Sequence, residues 1–260
     1  MKGLFYATSM VAMAAVIPSC GNGGAKKAAA DSTAMAADSN VVVLFDGTSL
    51  DGWRGYNKDT VPSAWTLEDG CIKINGSGAG EAGARNGGDL IFGAEKFGNF
   101  ELSFEWKVAK GSNSGVFYMI QEVPDTPSYY SAPEYQILDN ENHPDAKLGV
   151  DGNRKSASLY DMIPAKPQNS KPFGEWNTGK IMVYKGTVVH YQNGENVLEY
   201  HLWTPEWQAM LDKSKFSKDK NEKAYNLLLN CGGDQKEGYI GLQDHGDDVW
   251  YRNITVKKLD

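Results

Sequence analysis

The first group of residues that could carry chemistry lies in the middle of the chain and begins with Glu134 and Gln136. In an extended strand these two side chains project from the same face, because successive side chains alternate between the faces. Asp139 and His143 follow just beyond the predicted strand end. A carboxylate, an amide and an imidazole together can move a proton and hold a polar substrate. The alternative is a solvated outer strand followed by a turn that Asp139 caps.

A second polar group lies near the C-terminus and contains Gln243, Asp244 and His245. Gln243 and His245 share a face if the strand extends that far. Asp247 and Asp248 follow, and carboxylates with an imidazole suit divalent metal ions. Two interpretations stay open at this point: a polar site that could take a divalent cation, or a bare acidic turn.

A third candidate is Trp176, which stands beside Asn177 after a proline-containing segment. A tryptophan ring can form a platform for a sugar, or it can fill the core. Two further histidines, His190 and His201, alternate with apolar residues in predicted strands. We expect structural roles for these two histidines.

Alternating hydrophobicity predicts the strands that must position these residues. In residues 99–108, the apolar Leu102, Phe104 and Trp106 alternate with polar side chains. Similar patterns predict strands at 114–120, 134–138, 180–184, 187–191, 197–201, 239–243 and 250–257. Lys185-Gly186 and Asn193-Gly194 are typical of hairpin turns. Many antiparallel strands in one chain predict an all-β sandwich of two sheets, or jelly roll.

One segment departs from the strand pattern. Thr204 and Pro205 are typical of a helix cap and a first helical position. Trp207 begins a series of apolar residues at helical spacing, so we predict one short helix over 204–213. The lysine-rich segment 213–223 that follows is interpreted as a solvated surface excursion rather than a binding site.

The N-terminus has the features of an export signal. An apolar stretch over 4–17 follows Lys2 and is too short to span a membrane as a helix. It ends before Cys20 in a sequence that resembles the bacterial lipobox, which predicts a lipoprotein signal peptide over 1–19 with Cys20 as the lipidated residue. The alternative is a plain secretory signal with an incidental cysteine. Residues 20–40 are rich in small residues and are predicted to be a flexible tether.

This interpretation places the protein in the bacterial cell envelope. We expect an outer-membrane lipoprotein that faces the periplasm and contacts the membrane through its lipid anchor only. Cys71 and Cys231 then remain, in apolar runs over 71–74 and 226–231 that look strand-like. They are interpreted as buried free thiols, with a disulfide as the alternative.

Composition excludes several classes of protein. The 260 residues include 26 basic and 33 acidic side chains, a formal net charge of −7, so no basic surface for nucleic acid is expected. The sequence contains no nucleophile elbow, zinc-protease helix, phosphate loop or dinucleotide fingerprint. It shows no internal repeat and no second boundary, so residues 41–260 are predicted to form a single domain.

Five motifs in order resemble a known family. Residues 44–53, LFDGTSLDGW, are similar to the opening of the 3-keto-disaccharide hydrolase family. The other four motifs are Asn113-Ser114-Gly115-Val116, Glu134-Tyr135-Gln136 with Asp139, Glu175-Trp176-Asn177, and Gly241-Leu242-Gln243-Asp244-His245-Gly246 with its continuation to 254. The resemblance covers about 41–260 and departs from the family pattern at 216–238.

The resemblance implies a concanavalin-like jelly roll and an enzyme that cleaves 3-keto-glycosides, with a carbohydrate as its partner. A ketone at C3 acidifies the hydrogen on C2, so a base can remove it and the C1 substituent can leave by elimination; water then adds. This route needs a base, an acid for the leaving oxygen and a group that stabilises the enolate. It does not need the two opposed carboxylates of an ordinary glycosidase.

The hypothesis assigns Glu134, His245 and His143 as catalytic residues. Either Glu134 or His245 is the base, and the other is an acid or a metal ligand. The predicted substrate-binding residues are Asn113, Gln136, Trp176, Gln243 and Arg252. A divalent metal ion is considered as a cofactor, and its requirement is left open. The alternative functions are a non-catalytic lectin-like module and, ranked last, a conventional endo-glucanase.

Overall fold

The computed structural model describes residues 40–77 and 87–260. The predicted signal peptide, the lipidated Cys20 and nearly all of the predicted tether lie outside the described residues, as do residues 78–86. No helix among the described residues is long and apolar enough to cross a membrane.

The described residues form thirteen strands and two α-helices. The first seven strands are β1 (Val41–Phe45), β2 (Trp53–Gly55), β3 (Trp65–Glu68), β4 (Cys71–Ile74), β5 (Leu90–Phe92), β6 (Phe100–Val108) and β7 (Asn113–Ile120). The others are β8 (Glu134–Leu138), β9 (Asn177–Tyr184), β10 (Thr187–Gln192), β11 (Glu195–His201), β12 (Tyr239–Leu242) and β13 (Val249–Lys258). The helices α1 (Pro205–Lys213) and α2 (Glu222–Leu229) lie between β11 and β12.

The strands form two antiparallel sheets, as predicted. The large sheet has eight strands in the order β11-β10-β9-β6-β13-β4-β3, with β1 also paired to β13. The small sheet has the order β2-β5-β12-β7-β8. The all-β jelly-roll prediction is therefore confirmed.

Strand β6 shows why the sheets pack together. Leu102, Phe104 and Trp106 are at most 2% exposed, whereas the residues between them are partly exposed on the other face. Each such buried side chain contributes about 1.5–3 kcal/mol. The Phe104 ring meets the Tyr135 ring of the small sheet edge-on, with centroids 5.3 Å apart. The alternation in the sequence therefore marks the inner face of the large sheet.

The small sheet is covered on both faces. Every residue of β7 and β8 is buried, because loops pack over the face that points away from the large sheet. Glu134 is 7% exposed and Gln136 is 1% exposed. The alternative of a solvated outer strand is therefore wrong, and polar side chains on this face lie under loops instead of in open solvent.

The two predicted hairpin turns are confirmed. Lys185 and Gly186 have φ angles of 49° and 84° between β9 and β10, and Asn193 and Gly194 have φ angles of 49° and 87° between β10 and β11. Two successive positive φ angles define the turn whose twist matches antiparallel strands. The turns fix the register of the β9-β10-β11 edge.

The prediction for the segment after β11 is half right. Helix α1 starts as expected, and the Thr204 hydroxyl accepts the Trp207 N–H at 3.2 Å. The prediction of one helix only, and of a strand-like run over 226–231, is wrong, because most of this run lies in α2. The Asn221 side chain caps α2 by accepting the Ala224 N–H at 3.0 Å. A short apolar run has no period that separates a strand from a helix.

Both cysteines of the described region are free and buried, as the first interpretation predicted. Cys71 lies on β4, and Cys231 follows α2. Burial raises the pKa of the Cys231 thiol to about 12, so it stays protonated and unreactive near neutral pH.

Candidate active site

A pocket of about 280 Å³ opens on the outer face of the small sheet. The strand register places its floor there, because Gly115 pairs with Gln136 and Phe117 pairs with Glu134 on this face. The Gln243 N–H donates to the Gly115 carbonyl at 2.9 Å and brings the end of β12 beside β7. The volume is close to the range of small-molecule sites, roughly 300–1,000 Å³.

The floor of the pocket is polar and depends on a glycine. A Cβ atom at residue 115 would overlap the Glu134 carboxylate, so Gly115 makes the room in which this carboxylate lies. Asn113, at the start of β7, is 3% exposed, and its Oδ1 atom has no hydrogen-bond partner. Buried polar atoms are nearly always paired, so an unpaired one in a pocket marks a place for a ligand.

Asp139 positions the loop that carries His143. Its carboxylate accepts the Gly111 N–H at 2.8 Å and the Asn142 side-chain N–H at 2.7 Å. The His143 N–H donates to the Asp139 carbonyl at 3.0 Å. Burial alone would raise the pKa of Asp139, but the N–H donors outweigh it and hold that pKa below its usual value. Asp139 is therefore a charged anchor for the loop.

Two histidines of the pocket lining lie next to each other. The rings of His143 and His245 are 5.9 Å apart between centroids and nearly perpendicular. Nδ1 of His143 accepts the Asp145 N–H at 3.2 Å, so the neutral ring carries its proton on Nε2. Burial, followed by the nearby His245, lowers the pKa of His143. At neutral pH this imidazole is uncharged and can donate from Nε2.

His245 is the less satisfied of the two. Its Nδ1 atom is buried without a hydrogen-bond partner and lies 3.9 Å from Oδ2 of Asp247. Asp247 accepts the Asn113 N–H at 3.0 Å, and burial raises its pKa. Ligand atoms of His143, His245 and Asp247 lie within 4.8 Å of one another. Two imidazoles and a carboxylate are a common ligand set for divalent transition metals.

The carboxylates of Asp244 and Asp248, in the same acidic segment, accept hydrogen bonds from backbone N–H groups. Asp244 accepts the Gly88 N–H at 2.8 Å, and Asp248 accepts the Gly76 N–H at 2.6 Å. Both therefore hold loops in place, and the group that could bind a metal contains only Asp247 of the three.

The pocket lining also contains residues that the sequence did not reveal. Asp145 is paired with Arg154 at 2.8 Å and accepts the Tyr160 hydroxyl at 2.9 Å. Burial raises the pKa of Tyr160, so its hydroxyl stays protonated. Nζ of Lys215 lies 4.3 Å from the centre of the Tyr160 ring. None of these residues stands in a polar motif, and only the fold brings them together.

The pocket brings together five of the eight residues that were predicted to act on a substrate. They are Asn113, Glu134, His143, Gln243 and His245. All five come from two of the polar motifs and the start of β7.

The other three predicted residues lie elsewhere. Gln136 is a neighbour of the pocket, but its amide serves the protein: Oε1 accepts the Ile137 N–H at 3.1 Å. Arg252 and Trp176 lie on the outer face of the large sheet, where the guanidinium is 3.9 Å from the centre of the Trp176 ring and 2.7 Å from Glu105. The structure does not bring these two to the pocket.

The fold agrees with comparisons to known proteins. Residues 40–257 match the 3-keto-alpha-glucoside-1,2-lyase-like domain, so the chain belongs to this family of glycoside-cleaving enzymes. A curated relative from Bacteroides thetaiotaomicron, named 3-keto-disaccharide hydrolase, is 58% identical over 100% of both chains.

Solved structures show the same fold. A candidate glycosyl hydrolase from Parabacteroides distasonis is 27% identical with a TM-score of 0.70, and the match covers 85% of this chain and 94% of that one. A second from the same organism is 24% identical with a TM-score of 0.63, covering 84% and 99%.

Proposed function

We propose that this enzyme cleaves the glycosidic bond of 3-keto-disaccharides and related 3-keto-glycosides. Family membership and the curated relative support the substrate class. The observation that carries the proposal is the pocket itself, which is lined by the buried carboxylate of Glu134 and by two imidazoles. These groups suit the removal of an acidic C–H proton next to a ketone.

The proposed reaction has two steps. A base removes the proton on C2, the electrons form the C1=C2 double bond, and the C1–O bond breaks as the leaving oxygen takes up a proton. Water then adds across the double bond, with its hydroxyl on C1 and its proton on C2. The sum is hydrolysis to a free 3-keto-sugar and an alcohol. The ketone lowers the barrier because it carries the negative charge that develops in the first step.

An ordinary glycosidase mechanism fits this pocket poorly. That mechanism needs two carboxyl groups, one on each side of the scissile bond. Among the described residues, two carboxylates line the pocket, those of Glu134 and Asp145. Asp145 is held by Arg154 and Tyr160. Because Asp145 is engaged by these two partners, it is poorly placed to act as the second carboxyl group, which favours elimination over direct displacement.

In this proposal each residue has a distinct task. Glu134 is the base that removes the C2 proton, and His143 donates from Nε2 to the ketone oxygen as charge develops there. His245 stands on the same side, where it delivers a proton to the leaving oxygen. Asn113 and Gln243 hold sugar hydroxyl groups from the floor, since buried amides both donate and accept.

A divalent cation fits the site as a cofactor. The unpartnered Nδ1 of His245 and the nearby Asp247 carboxylate offer two ligands, and His143 offers a third if its ring adopts the other tautomer. When bound, such an ion polarises the ketone as a Lewis acid. Glu134 keeps its task as base in either case.

The first test compares Glu134→Gln with Glu101→Gln, a matched change at an ion pair on the large sheet. Removal of the base should lower turnover of a 3-keto-glucoside by about 10²–10⁴-fold, while E101Q keeps it. Thermal unfolding checks that both variants fold. Equal turnover in E134Q and the wild type overturns the assignment of the base.

Two substrate controls separate the proposal from its alternatives. The unoxidised glucoside should not be cleaved, and its cleavage at the same rate would indicate a conventional glycosidase. Binding of the 3-keto-glucoside without product release would indicate a lectin-like module.

A chelator experiment tests the cation. Treatment with a strong chelator should abolish turnover, and added Mn²⁺ or Zn²⁺ should restore it. Calorimetric titration with the same ions should show one site whose affinity falls at least tenfold in Asp247→Asn, since loss of a group that only orients a metal ligand already costs about 10–100-fold. Full turnover after chelation, with no ion bound, rules the cofactor out.

The proposal also includes a lipid anchor at Cys20 in the outer membrane, with the domain in the periplasm. Metabolic labelling with palmitate should tag the wild-type chain and not Cys20→Ala, and the variant should leave the membrane fraction. Labelling of both chains contradicts this assignment.

A further inference from the structure

A second cavity of about 440 Å³ lies beside the active-site pocket. We call it the side cavity, and its walls include Val150, Met162, Met210, Lys213 and Lys220. Lys215 lines both the side cavity and the pocket, so the two spaces meet at this residue.

The side cavity is strongly cationic in a chain whose net charge is −7. Its lining includes Lys213, Lys215, Lys220 and Arg154 against one carboxylate, that of Asp161. Asp161 is paired with Arg154 at 2.7 Å, so these two charges neutralise each other. A concave surface lined by unpaired charges of one sign concentrates ions of the opposite sign.

None of the three lysines forms an ion pair within 4.0 Å of a carboxylate among the described residues, although the charge of Lys220 helps to lower the pKa of the neighbouring Asp219. Nζ of Lys220 donates to the Ser214 carbonyl at 3.0 Å, and Nζ of Lys215 rests over aromatic rings. Lys218, from the same segment, differs because it pairs with Glu222 at 3.5 Å. All four lysines are exposed, as predicted for this segment, but Lys213, Lys215 and Lys220 also line the side cavity.

An apolar rim joins the two spaces. Leu148, which lines the pocket, is 55% exposed, and Val150, which lines the side cavity, is 68% exposed. The two residues lie on the same loop and are separated by one residue, Gly149. Exposed apolar side chains at the edge of a cleft are typical of a surface that contacts a ligand. An anionic group on an apolar frame would match both the lysines and this rim.

We infer that the side cavity is the leaving-group subsite, and that it selects 3-keto-glycosides whose leaving group carries an anion, a carboxylate or a sulfate, on an apolar frame. This inference rests on the proposed function. The keto-sugar ring lies between Glu134 and the two histidines, and the glycosidic bond points past Lys215. The released alcohol carries the anionic group towards Lys213 and Lys220.

The test uses three 3-keto-β-glucosides that differ in their leaving group. These are 4-hydroxybenzoate, its neutral methyl ester and hydroquinone monosulfate. The measured quantity is the kcat/KM of each anionic substrate divided by that of the ester. The double variant K213Q/K220Q should lower this ratio about fivefold, as expected for partly exposed ion pairs. The matched control K218Q, which lies outside the cavity, should leave the ratio unchanged.

The outcomes separate the inference from the function on which it rests. If K213Q/K220Q lowers the kcat/KM ratio of the benzoate substrate alone, the selected anion is a carboxylate. If it lowers the ratio of the sulfate substrate alone, the selected anion is a sulfate. Hydrolysis of all three substrates with ratios that the double variant does not change overturns the inference and leaves the proposed function intact. No hydrolysis of any of them by the wild type overturns both. Added salt should lower the ratio in the wild type and not in the double variant.

Discussion

His190 and the pair His143–His245 place imidazoles in two differently built regions of the molecule. His190 lies between the sheets and is fully buried. Its Nδ1–H donates to the Ala157 carbonyl at 2.9 Å, and its Nε2 accepts the Tyr118 hydroxyl at 2.8 Å. Tyr118 in turn bonds to Tyr200. Burial lowers the pKa of His190 to about 4, so the ring is neutral and completely paired.

The pair His143–His245 in the pocket differs from His190, because its hydrogen bonding is incomplete. His245 keeps a ring nitrogen without a partner although its side chain is only 25% exposed. Folding gains little from such an atom, because burial removes water without supplying a hydrogen bond. The difference indicates what each region does: complete pairing makes His190 part of the scaffold, and incomplete pairing leaves His245 ready for a ligand.

The largest expected effect concerns His245. His245→Ala should lower turnover of a 3-keto-glucoside by about 10³-fold, since a proton donor or metal ligand is lost. Its free energy of unfolding should stay within about 1 kcal/mol of the wild type. His201→Ala is the matched control, because that ring is 56% exposed on β11 and does not have the structural role that its apolar neighbours predicted, so the variant should keep both properties. A large loss of stability in H245A would contradict the conclusion that His245 contributes little to folding.

His190→Ala should show the reverse pattern. Removal of the buried ring leaves a cavity, and the Tyr118 hydroxyl and the Ala157 carbonyl lose their hydrogen bonds to it. The free energy of unfolding should therefore fall by about 3 kcal/mol. The kcat/KM of the folded fraction should change only a few-fold. Denaturant unfolding and initial rates at low temperature measure the two quantities. If H190A is as stable as the wild type, the buried network is not a structural element.

The smallest effect is a dependence of stability on pH. The pKa of His190 is lower in the folded state than its ordinary value of 6.5, so the unfolded chain binds the extra proton. The contribution of the neutral His190 to the free energy of unfolding is complete above pH 6.5 and is lost as the pH falls towards 4. It amounts to about 2 kcal/mol between about pH 7 and about pH 5.

His190→Gln sharpens the pH measurement, because glutamine has no proton to gain in this range. The slope of unfolding free energy against pH should be smaller in H190Q than in the wild type by about 1.4 kcal/mol per pH unit below 6.5. Identical slopes would show that His190 does not remain neutral in the folded state.

Local patterns explain which parts of the fold were predictable. The nine residues of β6 alternate over their whole length, and Asn193-Gly194 requires a specific turn, so each signal is complete within its own segment. The apolar run of α2 is short and contiguous, and its identity as a helix depends on packing: the Trp207 ring N–H donates to the Leu228 carbonyl at 3.0 Å. The two residues are 21 positions apart, so the sequence of the α2 segment alone does not show this contact.

The site was predictable to the extent that its residues stand in motifs. Glu134 and His245 were found because polar residues interrupt apolar strands. Tyr160 and Lys215 were not found, since only the folded chain brings their separate loops to one pocket. Trp176 was assigned to the site because a tryptophan ring can form a platform for a sugar, but the residue type does not show which of the two sheets faces the substrate.

The missing side chain of Gly115 has a consequence for how this fold can be used. The Glu134 carboxylate occupies volume that any larger residue on the neighbouring strand would fill. A single methyl group at this position would displace the carboxylate while the rest of the floor stayed in place. In the proposed mechanism, such a chain would still present amides and imidazoles to a sugar but would hold its base out of position. One carbon atom on β7 would then convert the proposed enzyme into a carbohydrate receptor with the same architecture.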